Sequence, residues 1–258
     1  MVISDVQIMQ WLSAFIWPFI RIGAFVMSAP IIGTRALPLR IRLMFALGLT
    51  VVLAPVAAPA AVIAPMGADG FLVALNQIMI GATIGLVLRL TFFVFEFTGQ
   101  LVAQQMGLGF AAMVDPTSGA QVPVLSHLYI VLATLLFFVF DAHHALIELL
   151  AQSFNFVPVG AGSLTAAGAD VVLEWSSGLF VSALLLALPV LVALLVINLA
   201  LGVIVRAAPQ LNIFAIGFPV MILIGVVLMM LTLPNLALYA ERLFAEGLES
   251  VRQALVLQ

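Results

Sequence analysis

The sequence contains no cysteine and no lysine, and only 7% of its 258 residues are charged. Without cysteine there is no disulfide framework, no thiolate metal ligand and no thiol nucleophile, and thiol usage says nothing about the redox compartment. The 8 basic residues are all arginine and stand against 11 acidic ones, for a net charge of −3. So little positive charge cannot build the basic face that nucleic acid requires, which excludes nucleic acid as a main partner. Soluble domains carry about a quarter charged residues, whereas this chain is 65% hydrophobic with a mean hydropathy of +1.33. The alternating apolar pattern of a transmembrane barrel is also missing, so the fold class that follows is an all-α integral membrane protein.

A span needs about 20 mostly apolar residues, because the hydrocarbon core is roughly 30 Å thick and a helix rises about 1.5 Å per residue. Six stretches meet that requirement: residues 9–29, 43–62, 71–97, 122–140, 177–205 and 213–233. The first is preceded by Asp5 and by no basic residue, and no small-residue cleavage site follows it. It therefore reads as a retained span and not as a signal peptide. Arg21 lies inside it. A central arginine costs about 2.5–3.5 kcal/mol, and each Leu, Ile, Phe or Val returns only about 0.3–0.6. Arg21 is therefore expected to face protein or an aqueous cavity, not lipid. Arg35, Arg40 and Arg42 follow the first span and Arg206 the fifth, while the acidic Asp69, Asp170 and Glu174 occupy other connections. The positive-inside rule puts the arginine loops in the cytoplasm and both termini outside, with Arg242 and Arg252 on the tail pulling the other way.

Residues 1–258 read as one membrane domain without an internal repeat. Residues 99–121 form a Gly- and Met-rich connection inside it. In the tail, residues 236–258, Leu243, Phe244, Leu248, Val251 and Leu255 recur at helical spacing among Glu241, Arg242, Glu246, Glu249 and Arg252, the pattern of an amphipathic helix.

The third span is the most polar. Arg89, Glu96, Gln100 and Gln104 are separated by seven, four and four residues, which aligns them on one face of a continuing helix. Two readings fit: buried ion pairs, Arg89–Glu96 or Arg21–Glu96, or a surface beside a water-filled path. Past the stripe, Met106, Gly107, Gly109, Phe110 and Met113 lead to Asp115-Pro116. Glycines interleaved with deformable side chains describe either a segment that plugs a channel or an ordinary re-entrant loop buried in protein. Gly107, Gly109 and Ala112 match a dinucleotide fingerprint only literally, with no βαβ unit around them.

Asp141, His144 and Glu148 share a helical face next to His143, a pattern compatible with a metal site or proton relay as well as with a polar span end. Gly81 and Gly85 form a small-xxx-small pair for close helix contact. Pro18, Pro189 and Pro219 lie within spans and are expected to kink them. No Ser-His-Asp set, phosphate loop or carboxylate pair emerges, so no enzyme, cofactor or metal is expected.

Four blocks carry a resemblance to a known family. The run from Arg21 to Arg42 with its central Ser-Ala-Pro-Ile-Ile-Gly is the first. Gln105-Met-Gly-Leu-Gly-Phe with Asp115-Pro116 is the second, and Leu135-Leu-Phe-Phe with His143-His144 the third. Asn198-Leu-Ala-Leu-Gly with Ala208-Pro-Gln-Leu-Asn-Ile-Phe-Ala-Ile-Gly-Phe-Pro is the fourth. In order and spacing they resemble the FliR family of the bacterial flagellar type III export gate, with the Ile216-Gly217-Phe218-Pro219 end favouring the flagellar branch over virulence-type (injectisome) export proteins. The resemblance implies a structural, pore-forming subunit in the inner membrane at the flagellar basal body. It implies assembly with FliP and FliQ, contact with FlhB and FlhA, and passage of unfolded flagellar subunits. It also implies that Met106, Gly107, Gly109, Phe110, Met113 and Asp115 belong to a plug across the closed path, and that some hydrophobic helices sit inside the assembly and not in the bilayer. Arg206, Pro209, Gln210 and Asn212 form the expected cytoplasmic docking edge. The rival class is a proton-coupled small-solute transporter using the stripe as its path and Asp141, His144 and Glu148 as its relay.

Overall fold

A chain with few polar side chains in an apolar medium must satisfy its backbone N–H and C=O groups locally, and helices do so. The computed structural model describes residues 5–33, 37–57, 67–108, 124–160, 162–163, 165–208 and 213–256. Among these there is no strand, and eight helices account for nearly all of them. They are α1 (Asp5–Ser28), α2 (Leu39–Leu53), α3 (Ala68–Gln105), α4 (Val124–Val139), α5 (Ala142–Phe156), α6 (Ala166–Ser177), α7 (Leu179–Ala207) and α8 (Ile213–Val256). Within them the threonine hydroxyls turn back to the carbonyl four residues earlier, as Thr50 does to Ala46 at 2.6 Å, Thr98 to Val94 at 2.7 Å and Thr134 to Ile130 at 2.8 Å. That bond lets a polar side chain live on an apolar helix without an outside partner.

Six spans become fewer. Among the described residues, four helical segments are long and apolar enough to cross a membrane, Met9–Ser28, Ala68–Gln105, Ala166–Ala207 and Gly217–Val256, and a bent pair makes five if it counts as one span. The expected second span shrinks to α2, whose 15 residues end at Leu53 and reach only about 22 Å at 1.5 Å per residue. The expected fourth span is α4, with 16 residues, joined to α5 through a 70° bend at Phe140-Asp141. Hydropathy counted apolar residues across those ends without registering where the helix stops.

Two further boundaries move. Helix α3 runs on through Gln105, so the Gly/Met-rich connection begins later than residue 99. The tail is no separate helix: α8 continues for 44 residues through both Pro219 and Pro234. A proline removes one donor and one i→i−4 bond, and α1 and α7 likewise run unbroken past Pro18 and Pro189.

The helices divide into two compact units. Unit 1 comprises Met1–Thr91, Asp141–Ser177 and Phe244–Gln258, and unit 2 comprises Phe92–Phe140 and Gly178–Leu243. The chain passes from one to the other inside α3, at the α4–α5 bend, at the α6–α7 junction and inside α8. In unit 2, Gly99 of α3 lies on α4, where a Cβ would stand 2.7 Å from the Ser126 Cα. Phe93 and Phe97 meet Phe180 of α7 edge to face, each at 5.8 Å, an arrangement aromatic pairs favour. The Thr98 hydroxyl donates to the Ala183 carbonyl at 3.2 Å.

Candidate functional site

The fully buried charge of unit 1 is Arg21. Its Nε donates to Gln77 Oε1 at 2.7 Å. Its Nη1 donates to the Ser153 carbonyl at 2.7 Å and the Ser153 hydroxyl at 3.1 Å. Its Nη2 donates to the Val157 carbonyl at 2.7 Å. The guanidinium also lies 4.2 Å from the centroid of the Phe154 ring, within cation–π range. Ser153 and Val157 sit at the carboxyl end of α5, whose last turn has no basic residue. The negative dipole of that end is thus met from α1, with the Ser153 carbonyl also accepting the Val157 N–H at 3.0 Å. Arg21 therefore faces neither a lumen nor Glu96, and no ion pair to it occurs among the described residues. Its partners Gln77, Ser153, Phe154 and Val157 were not singled out from sequence, because they are scattered along the chain and two of the contacts are to main-chain carbonyls.

The same face of α1 is read by two glycines of α3. A Cβ on Gly81 would run into the Arg21 carbonyl, and one on Gly85 into the Ser28 hydroxyl, with the Phe25 carbonyl at 2.8 Å. Arg21 and Phe25 are four residues apart, as are Gly81 and Gly85, so the two helices approach along matched rows.

Along α3 the polar stripe takes the opposite position. Arg89, Glu96, Gln100 and Gln104 are all exposed, whereas Val87, Val94, Phe95, Thr98 and Val102 on other faces are buried. Neither Arg89 nor Glu96 has an ion pair among the described residues, so the buried-pair reading of the stripe is replaced by an exposed polar strip on a 38-residue apolar helix.

The end of α3 is fixed twice. Gly107 has φ 81°, its N–H bonds the Gln104 carbonyl at 3.0 Å, and the Leu108 N–H bonds the Ala103 carbonyl at 3.0 Å. This is a Schellman cap, which needs a left-handed residue at Gly107. Gly107 is therefore a defined helix stop. Met106, expected among the sealing side chains, is buried. Its side chain lies across Gly225 of α8, where a Cβ would fall 2.6 Å from Cε and 2.7 Å from both Cγ and Sδ. Gly225 was missed in the sequence. Its signal was the spacing Met221-Gly225-Met229, one turn between each, with the two methionines buried.

Gly109, Phe110, Met113 and Asp115 lie outside the described residues, as do Pro209, Gln210 and Asn212. Arg206 is exposed in the last turn of α7, where a cation complements the helix dipole.

Asp141 is in the left-handed region at φ 53° and caps the start of α5. Its carboxylate lies 3.3 Å from His144 Nδ1, with both side chains about three-quarters exposed. The His143 and His144 rings are 4.0 Å apart, closer than adjacent helix positions imply. Glu148 accepts from Gln152 instead of joining them, at 3.0 Å, so the expected Asp141–His144–Glu148 relay is not assembled. The donor atoms of Asp141, His143 and His144 fall within 4.8 Å of one another, but with Asp141 and His144 exposed and His143 half-buried at the positive end of a helix, the trio is a poor cation trap. In unit 2 a crevice of about 140 Å³ is lined by Tyr129, Pro189, Met229, Thr232 and Tyr239, below the roughly 300 Å³ at which ligand pockets begin. Neither feature serves a transporter.

Similarity to known proteins covers most of the chain. The family model described as bacterial export proteins, family 1, matches residues 12–247. The flagellar biosynthetic protein FliR of Pectobacterium carotovorum subsp. carotovorum is 39% identical over 241 residues, 93% of this chain and 92% of that protein. The protein of the same name from Escherichia coli (strain K12) is 37% identical over 244 residues, 95% of this chain and 93% of its own length. That of Bacillus subtilis (strain 168) is 27% identical over 255 residues, 97% and 98%.

Proposed function

The chain belongs to the bacterial export proteins, family 1, as a membrane-embedded component of the flagellar export apparatus and not an enzyme, and on that premise we propose that it is a pore-forming subunit. It passes unfolded flagellar subunits across the inner membrane, in a hetero-oligomer with FliP and FliQ and in contact with FlhB and FlhA.

The observation that carries this reading is the exposed strip of α3. Arg89, Glu96, Gln100 and Gln104 stand uncovered on a largely apolar helix. A glutamate and two glutamines facing hydrocarbon would each lose their hydrogen bonds to water, at several kcal/mol for the charge alone. The strip is therefore assigned to a neighbouring subunit or the aqueous path. Such a surface offers hydrogen bonds without a fixed code, as a conduit for many sequences requires.

Across that path, the segment that follows Gly107 supplies the plug, with Gly109, Phe110 and Met113 as its sealing part and Asp115 at its end. Deleting residues 109–113 is expected to raise the ion conductance of inner-membrane vesicles carrying the assembled gate, and unchanged conductance removes the plug. Native mass spectrometry of the detergent-extracted complex checks the partners: one copy beside several copies of two smaller membrane proteins is expected, and a monomer or homo-oligomer overturns the gate. Arg206, Pro209, Gln210 and Asn212 are assigned to FlhB docking, so a photocrosslinker at Gln210 should capture FlhB and not lipid.

A further inference from the structure

Gly225 has no part in the stripe, the arginine clamp or the connection after Gly107, yet it is buried where Met106 at the end of α3 lies against α8. We propose that Gly225 and Met106 form a seat that positions the start of the plug segment in the resting gate, with Gly225 as its positioning residue. The inference rests on the plug reading given above.

Three observations carry it. First, the fit depends on the missing side chain. The Cγ, Sδ and Cε of Met106 would all lie within 2.7 Å of a Cβ at Gly225. Turning the terminal methyl away relieves only one of those contacts, and clearing Cγ as well requires a change of χ1, which a helix confines to two staggered wells. A side chain at 225 therefore forces Met106 out of its present rotamer. Second, the backbone on the far side of the contact is rigid. Met106 donates its N–H to the Val102 carbonyl at 2.9 Å, and the next residue is the left-handed Gly107 of the Schellman cap. A displacement of Met106 is thus passed directly to the residue where the plug segment begins. Third, the seat lies on a methionine-lined face. Met221 and Met229, one turn either side of Gly225, are both buried, and thioether side chains conform to irregular gaps. The contact is held by dispersion alone, with no hydrogen bond to fix its register, so position depends wholly on the space at Gly225.

The chain contains no cysteine, which gives a clean test. With Met106 Cγ 2.7 Å from the place of a Gly225 Cβ, the Met106 Cβ, one bond of about 1.5 Å further along, lies inside the roughly 4.5 Å upper reach of a disulfide. Met106→Cys with Gly225→Cys replaces the seat by a bond that can be made and broken. The variants are expressed in the host, the amount of assembled gate is measured, and ion leak is recorded in inner-membrane vesicles with and without reductant. The expected result is a several-fold rise in leak for Gly225→Ala at unchanged assembly. For the cysteine pair, leak should be high when reduced and return to the wild-type level when oxidised, while each single cysteine variant is insensitive to redox. A fold defect would not be repaired by closing one bond. If Gly225→Ala assembles poorly, the oxidised pair decides alone.

The seat is overturned if the pair crosslinks fully and the leak is the same in both redox states. It is equally overturned if no crosslink forms, which would show that the contact is missing from the assembled gate. The deletion of residues 109–113 separates this from the plug reading. A leaky deletion with a redox-indifferent pair rejects the seat and keeps the plug. A tight deletion with a redox-sensitive pair rejects the plug and leaves Met106 and Gly225 acting on conductance by another route.

Discussion

Arg21 and Arg89 are the same residue type in long apolar helices, and they come to opposite solutions. Arg21 is fully buried in unit 1 and spends its donors on Gln77, Ser153 and Val157. Arg89 stands on an exposed strip with Glu96, Gln100 and Gln104. A charge inside an apolar chain is either satisfied by that chain or left for something outside it. The first kind holds the fold together, and the second kind marks where the fold expects company.

That contrast can be broken at its stronger end. Arg21→Ala removes the side-chain donors that cap α5, leaving the Val157 carbonyl and Gln77 Oε1 buried without that partner and the Ser153 carbonyl with the Val157 N–H alone. The expected loss is about 3–5 kcal/mol, read as failure to accumulate assembled complex and early loss of monodispersity on heating in detergent. Recovery to wild-type behaviour with Arg21→Met would mean that the clamp contributes packing and not hydrogen bonding.

Next in size is Gly81→Ala. Its Cβ would meet the Arg21 carbonyl, forcing α1 and α3 apart at an expected cost of about 2–3 kcal/mol, which a thermal-stability assay on the purified chain would register. Ser153→Ala is smaller. The hydroxyl accepts from Arg21 at 3.1 Å, but the Ser153 carbonyl remains at 2.7 Å, so about 1 kcal/mol is expected. Smallest is Arg89→Ala, within about 0.5 kcal/mol in the isolated chain because the side chain is exposed. Its effect should appear only in the assembly, as reduced export. A large stability loss in the isolated chain would mean that the strip is intramolecular after all.

The matched glycines and arginine rows were half visible in the sequence. Gly81 and Gly85 stand out by spacing, but nothing local says that they lie on Arg21 and Phe25. The stripe on α3 was wholly visible as a periodicity, and its two readings were not separable, since the same spacing serves a buried pair and an open face. Gly225 was missed because its only mark in the sequence is its spacing between Met221 and Met229, which does not say what rests on it. It takes the arrival of Met106, 119 positions away, to give it a purpose. The tail's apolar positions Leu243, Phe244, Val251 and Leu255 are buried, but its spacing does not say that the helix is continuous with the preceding span through Pro234.

The amino-acid sequence by itself determined the medium, the helical class, the absence of catalytic machinery and the family, because each of these follows from composition, period or motif order. Only the tertiary structure decided how many helices are long enough to span, which arginine is a clamp and which is left open, and where the end of α3 rests. Those outcomes depend on contacts between residues far apart in the chain, such as the 132 positions separating Arg21 from Ser153. The free energy of such contacts comes from burial, fit and hydrogen-bond geometry that no local pattern encodes.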